Sequence, residues 1–513
     1  MMTETQSFLW GVATSAYQSE GGYNGPGEPL TNWAAAEQRG DVAEAGPAAE
    51  FWTLYEADFA RCREMGLSAF RMGIEWSRVQ PVHTEARLEE PPPLNFAALD
   101  HYARMLAACR AAGMEPVVTL HHFVHPAWLG TDPWLDARTP ALFAQYVERA
   151  VGHLNRCLRA EHGQAPLKFF ITINEPNMLV LNTYAGRQFP ATVGSGLHAM
   201  TSAYNQLLIA HVLAYNRLHD LYEREGWGAP MVTFNNYCSD VYWSDKFLLD
   251  LMTARERGTP RNGIKEYIHG KIDEFEAAFR AARIPLRKGL AFAIGTAFKH
   301  LTDVIGWRWF QPAHFTPLLD AIYASPRDRL LDYIGLDYYD PFAAHAFRLP
   351  VFSDHEFKSR TFRAWITNVV TSKWWDWRVL PDGLRFFCSY YARDYGRPVL
   401  IAENGMALRR KPDNRASFRK DRMLRSQFLK MHVQEVVRIV NDGVPLIGYL
   451  HWSLFDNYEW GSYTPRFGLF SLDYAHNRER LVEDHYGDRP SVAYAALIRD
   501  ARDNMHEPAA VAS

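Results

Sequence analysis

Eight short apolar runs with β character punctuate the sequence, at 8–17, 68–76, 115–122, 168–174, 230–236, 333–339, 398–403 and 446–453. Helical periodicity fills most of the intervals, including 97–112, 139–160 and 197–224. Gly113 stops the first of these helices. Strands that alternate with helices pair in parallel. Eight such units in one chain predict an α/β fold, a closed (β/α)8 (TIM) barrel rather than an open sheet. No Pro-, Gly- or Ser-rich linker divides the chain, and EEPPPL (89–94) reads as a turn. Residues 1–513 are therefore expected to form one domain, with 237–332 as a helical insertion between the fifth and sixth strands.

A barrel of this kind places functional groups at the C-terminal ends of its strands. Polar residues fall there in this sequence. Gln18 closes the first run, Arg71 lies within the second, and His122 closes the third. Asn174 and Glu175 close the fourth, Tyr339 the sixth and Glu403 the seventh.

Glu175 lies in ITINEPN (171–177) and Glu403 in LIAENG (400–405), each directly after an apolar strand. Partial burial and shifted pKa values follow from that setting. Two carboxylates across one barrel mouth suit glycoside hydrolysis. Their alternative is a structural pair that caps helices or forms salt bridges. Aromatic residues make up 14% of the chain, with 16 Trp, which supplies flat apolar faces for a sugar ring or for a core.

The remaining composition excludes other classes. Lys and Arg number 55 against 58 Asp and Glu, a net charge of −3, so nucleic acid is not expected as a partner. Cys62, Cys109, Cys157, Cys238 and Cys388 are scattered, as in a cytosolic protein with reduced thiols. MMTETQSFLWGVATSAYQ shows no secretory pattern, and no apolar run reaches membrane-spanning length. A cytoplasmic location is expected. Neither a metal nor a cofactor is expected, because His121 and His122 point to opposite strand faces and further His or Cys at zinc spacing is missing.

From FLWGVATSAYQSEG (8–21) to FGLFSLDY (467–474), the chain resembles glycoside hydrolase family 1, the retaining β-glycosidases. TINEP (172–176), I-x-ENG (401–405), LDHYARML, VVTLHHF, IGLDYY and GYLHWSLFDNYEW (448–460) carry the likeness in order and spacing. The resemblance implies a β-glucosidase, with galactosidase or fucosidase activity alongside, acting on a small β-glycoside. By that resemblance Glu175 is the general acid/base, Glu403 the nucleophile, and Asn174 the neighbour that bonds the sugar 2-hydroxyl. Arg71 and Tyr339 match the pair that contacts the nucleophile. Gln18, His122, Glu459 and Trp460 match residues that bind sugar hydroxyls, Trp452 the platform under the glycone, and Trp377 the aglycone flank. Retention implies carboxyl groups about 5–5.5 Å apart, and Glu403 should carry the lower pKa of the two. A transglycosidase using the same site, or a sugar-binding protein without turnover, are the rivals.

Asp337 stands where the family usually has Asn, adding a carboxyl group beside Tyr339, and Phe123 stands where Trp is frequent. EWGSYTPR (459–466) lacks the pattern of the phospho-β-glycosidases, and Glu459 opposes a 6-phosphate. In the insertion, Ile264, Tyr267, Ile268, Ile272, Phe275 and Phe279 recur at helical spacing. They either pack on the barrel or, with 341–376, form a hood over a hydrophobic aglycone. A basic amphipathic helix of this kind also suits contact with an anionic membrane surface.

Overall fold

The computed structural model describes residues 7–84, 87–186, 189–192, 196–286, 289–339, 341–342, 378–410, 416–417, 419, 421–474 and 476–506. Its centre is a closed barrel of eight parallel strands. They are β1 (Leu9–Ala13), β2 (Ala69–Gly73), β3 (Glu115–Thr119), β4 (Phe169–Asn174), β5 (Met231–Tyr237), β6 (Ile334–Tyr338), β7 (Val399–Asn404) and β8 (Leu446–Trp452). Each strand pairs with its neighbours in sequence, and β8 closes the ring against β1. All eight runs read from the sequence are present. Most are shorter than expected at their C-terminal ends, where the chain leaves the sheet to build the site.

The strands are almost continuously buried, as a barrel enclosed by helices requires. Inside, Leu9, Ala13, Ala69, Val117, Phe169, Ile171, Leu400 and Leu450 form a core distinct from the larger helix-to-sheet core. The outer helices include α1 (Phe51–Glu64), α2 (Phe96–Ala111), α3 (Thr139–Ala160) and α4 (Leu197–Glu225). Asn95 caps α2 by accepting from the Ala98 N–H, and Gly226 ends α4 in the left-handed region.

The insertion between β5 and β6 carries α5 (Lys246–Thr253), α6 (Ile264–Ala282), α7 (Leu290–Trp309) and α8 (Thr316–Ala324). Ile264, Ile268 and Phe275 are buried, and Tyr267, Ile272 and Phe279 are partly buried against the same core. Packing thus occupies the 264–279 face, so it is unavailable as an aglycone wall or a membrane-contacting face. Periodicity marks an apolar face but does not say what covers it. Of the other proposed wall, 341–376, all but residues 341–342 lie outside the described residues, as does Trp377. No described helix is long and apolar enough to cross a membrane.

A buried ion network ties the insertion to α9 (Asp382–Tyr395). Lys246 is wholly buried and donates to Asp250 at 3.1 Å, to the Tyr395 hydroxyl at 2.9 Å, and to Asp394. Burial raises the Asp394 pKa, but Lys246 above all, with Lys271 and Arg257, reverses this and holds it at about 2. A depressed carboxylate pKa stabilises the fold above its unfolded value of about 4, and that gain is lost as pH falls towards 2. Lys246→Met leaves buried carboxylates without their main cation. It is expected to cost about 3–5 kcal/mol in urea unfolding at neutral pH, with part of the difference disappearing in acid.

Candidate active site

The C-terminal ends of the strands converge on Glu403. It is the penultimate residue of β7, 4% exposed. Arg71 Nη1 donates to its Oε1 at 2.7 Å, and the Tyr339 hydroxyl donates to its Oε2 at 2.8 Å. Arg71 is completely buried within β2, and its direction is fixed by donation from Nε to Thr119 Oγ1 at 2.9 Å and from Nη1 to the Ala402 carbonyl at 3.1 Å. Its Nη2 donates to Asn174 Oδ1. One guanidinium therefore joins the ends of β2, β3, β4 and β7.

Glu175 follows β4 directly in the left-handed region, with φ 38° and ψ 63°. A non-glycine residue there is strained, and such strain concentrates at functional sites. Pro176 adds to the constraint by disfavouring the right-handed region for the residue before it. The turn aims a 5% exposed carboxyl into the mouth. One carboxylate oxygen each of Glu175, Asp337 and Glu403 lies within 4.8 Å of the other two. That spacing belongs with the short separation of retaining glycosidases, not with the wider one of inverting enzymes, about 6.5–9.5 Å.

Burial raises the pKa of Glu175 well above the usual carboxylate range, and the Glu403 charge adds to it. Burial also raises Glu403, opposed by Arg71 and the Tyr339 hydroxyl. The expected order holds, although the guanidinium does not bring Glu403 below its ordinary value. The site thus separates its two carboxyl groups, the more protonated one in the strained turn and the better solvated-by-protein one under Arg71.

The proposed sugar-contacting residues lie around this pair. The His122 ring stacks on Trp452 with centroids 5.5 Å apart and planes 13° apart, and its Nε2 is 3.3 Å from Asn174 Nδ2. Burial, then Arg71, lowers the His122 pKa well below normal, so the ring is neutral. His121 faces the other way, against Trp134 and Phe143. Trp452 Nε1 donates to Glu459 Oε1 at 2.8 Å, and burial pushes Glu459 to about 8. At neutral pH Glu459 therefore carries less charge than its sequence suggests.

Two placements differ from the expectation. Gln18 does not end β1, which stops at Ala13; it sits on a one-turn helix, Ala16–Ser19, where Ser15 Oγ donates to its Oε1 at 2.5 Å. His122 likewise lies three residues beyond β3, in a loop. Trp460 packs edge-on against Phe189 and Phe123, and Phe189 also meets Trp33. Neither Trp33 nor Phe189 carries a separate signal in the sequence. Asn235 was also missed. It lies on β5 opposite Asn174 and donates from Nδ2 to Asn174 Oδ1 at 2.8 Å and to Asp337 Oδ2. Extending the strand-end rule to the fifth strand would have found it.

The family description that matches the chain is glycosyl hydrolase family 1, over residues 3–257 and 321–486. The unmatched interval, 258–320, holds α6 and α7. Among curated relatives, 6-phospho-beta-galactosidase 1 of Streptococcus pneumoniae serotype 4 is 27% identical, covering 91% of this chain and 94% of the relative. Beta-glucosidase 40 of Arabidopsis thaliana is also 27% identical, covering 93% and 90%. A family 1 β-glucosidase from Thermotoga maritima shares the fold with a TM-score of 0.63 at 22% identity, covering 96% and 98%.

Proposed function

The chain belongs to glycosyl hydrolase family 1, a retaining glycoside hydrolase, and on that premise we propose that it is a β-glucosidase in which Glu403 is the nucleophile and Glu175 the acid/base. The observation that carries the assignment of roles is the grip of Arg71 and Tyr339 on Glu403, which leaves Glu175 as the more strongly protonated carboxyl.

Glu403 attacks the anomeric carbon as Glu175 protonates the departing oxygen. Glu175 then takes a proton from water, whose oxygen displaces Glu403 from the same carbon. Two inversions give net retention. Asn174, held by Arg71 and Asn235, meets the 2-hydroxyl, and Trp452 lies under the ring. Gln18, His122, Glu459 and Trp460 bind the outer hydroxyls. Of these groups only Arg71 is cationic, and it is committed to Glu403, which supports an unphosphorylated glycone. A galactoside or fucoside presents its hydroxyls to the same residues. The five cysteines are buried thiols, which supports a cytoplasmic enzyme.

Incubation with an activated 2-deoxy-2-fluoro-β-glucoside tests this reading. The fluorine slows both steps and the good leaving group spares the first, so the intermediate persists. One label per chain, on the peptide containing Glu403, is the expected result. A label elsewhere, or labelling only by the galacto or 6-phosphogluco reagent, refutes the corresponding part of the assignment.

A further inference from the structure

Asp337 is the third carboxyl group of the cluster and is completely buried. The register places it opposite Glu403 on β7 and opposite Tyr237 on β5. Its Oδ2 accepts from Asn235. Its Oδ1, like Glu175 Oε1, is buried and meets no N–H or O–H among the described residues. A carboxylate oxygen of each nevertheless lies within 4.8 Å of one of the other, and the contact between them lowers the pKa of Glu175 and raises that of Asp337. Two carboxyl oxygens can bond only through a proton, and two bare anions so close together would repel strongly.

We propose that Asp337 is a positioning residue for proton transfer, sharing a proton with Glu175 so that the pair, not Glu175 alone, holds the proton used in catalysis. This rests on Glu175 being the acid/base. In the first step the shared proton leaves through Glu175 to the departing oxygen, which keeps the electron pair of its broken bond to the anomeric carbon. The Glu403 oxygen bonds that carbon and becomes a neutral ester. The charge that repels the pair is thus removed as the pair becomes doubly negative. In the second step the pair recovers a proton from water, and Glu403 leaves as a carboxylate.

The charges facing the pair are Glu403, which opposes ionisation, Arg71, which favours it, and more distant Glu459. Asn235, Asn174 and Tyr339 complete the surroundings with neutral groups. Burial comes first and Glu403 second in raising Asp337 well above its ordinary range. The last proton of a coupled pair is held more tightly than by either group beside a neutral neighbour.

Asp337→Asn removes the second acid at nearly constant volume. The alkaline limb of kcat/KM for an aryl β-glucoside is expected to move down by about one pH unit or more. An unchanged or upward-shifted limb overturns the proposal. A wild-type infrared titration provides a second test that does not depend on the variant folding. The protonated-carboxyl band lost across that limb should shift with carboxyl-13C labelling of Asp as well as of Glu. Sensitivity to Glu labelling alone overturns the proposal. Glu175→Gln, assayed on an alkyl glucoside, separates the two claims. Retained activity there refutes the acid/base reading, whereas a dead enzyme with an unmoved Asp337→Asn limb refutes only the shared proton.

Discussion

Glu403→Gln is expected to lower kcat on the order of 10⁶-fold for every glycoside, whatever its leaving group. The amide matches the carboxylate in shape but has no anionic oxygen to bond the anomeric carbon, and a better leaving group does not supply one. Arg71 lies 2.7 Å from the substituted position and loses its anion while Glu175 and Asp337 lose a repelling charge, so the variant's stability should change as well. Activity and stability must therefore be read separately, with the unfolding midpoint establishing that the assayed protein is native. Glu403→Ala adds a discriminating result. It opens space where the carboxylate stood, and azide entering that space attacks from the same side. The product is then an α-glycosyl azide, inverted because only one displacement has occurred. Residual activity of Glu403→Gln above about 1%, or a β-azide from Glu403→Ala, places the nucleophile elsewhere.

Much of the barrel was legible because its strands are local events. PVVT, FFITIN and VLIAEN are largely apolar runs bounded by polar groups, and each lies in a strand of the structure. The strand-end rule then led to Arg71, Asn174, Glu175 and Glu403. Lateral relations were not legible, because register between strands far apart in sequence has no local signature. Asp337 could be flagged as an unusual residue, but its facing Glu175 depends on how β6 lies beside β5 and β7. Asn235 was within reach of the strand-end rule, but its role was not, because it links Asn174 with Asp337 across strands 61 and 102 residues away. The apolar face of α6 shows the same limit. Its spacing was clear, yet only the structure showed the core of the protein covering it.

Glu175→Ala should separate the two chemical steps through the leaving group. An alkyl glucoside needs a proton on its departing oxygen, and kcat/KM is expected to fall about 10²–10⁴-fold. A dinitrophenyl glucoside leaves as a stable anion, so its kcat/KM should change little. Its kcat should still fall, because water attacking the glycosyl ester on Glu403 has lost its general base. The intermediate then accumulates, seen as a burst of one dinitrophenolate per active site. Azide needs no deprotonation and should restore kcat, giving a β-glycosyl azide, because it attacks after the first inversion. The alkaline limb of the pH profile should vanish with the group that causes it. This pattern follows from the opposing environments of the two carboxyls: burial and the Glu403 charge keep Glu175 protonated, while Arg71 and Tyr339 support the anion on Glu403. A uniform loss across leaving groups, with no azide rescue, would mean that Glu175 orders the site without transferring the proton.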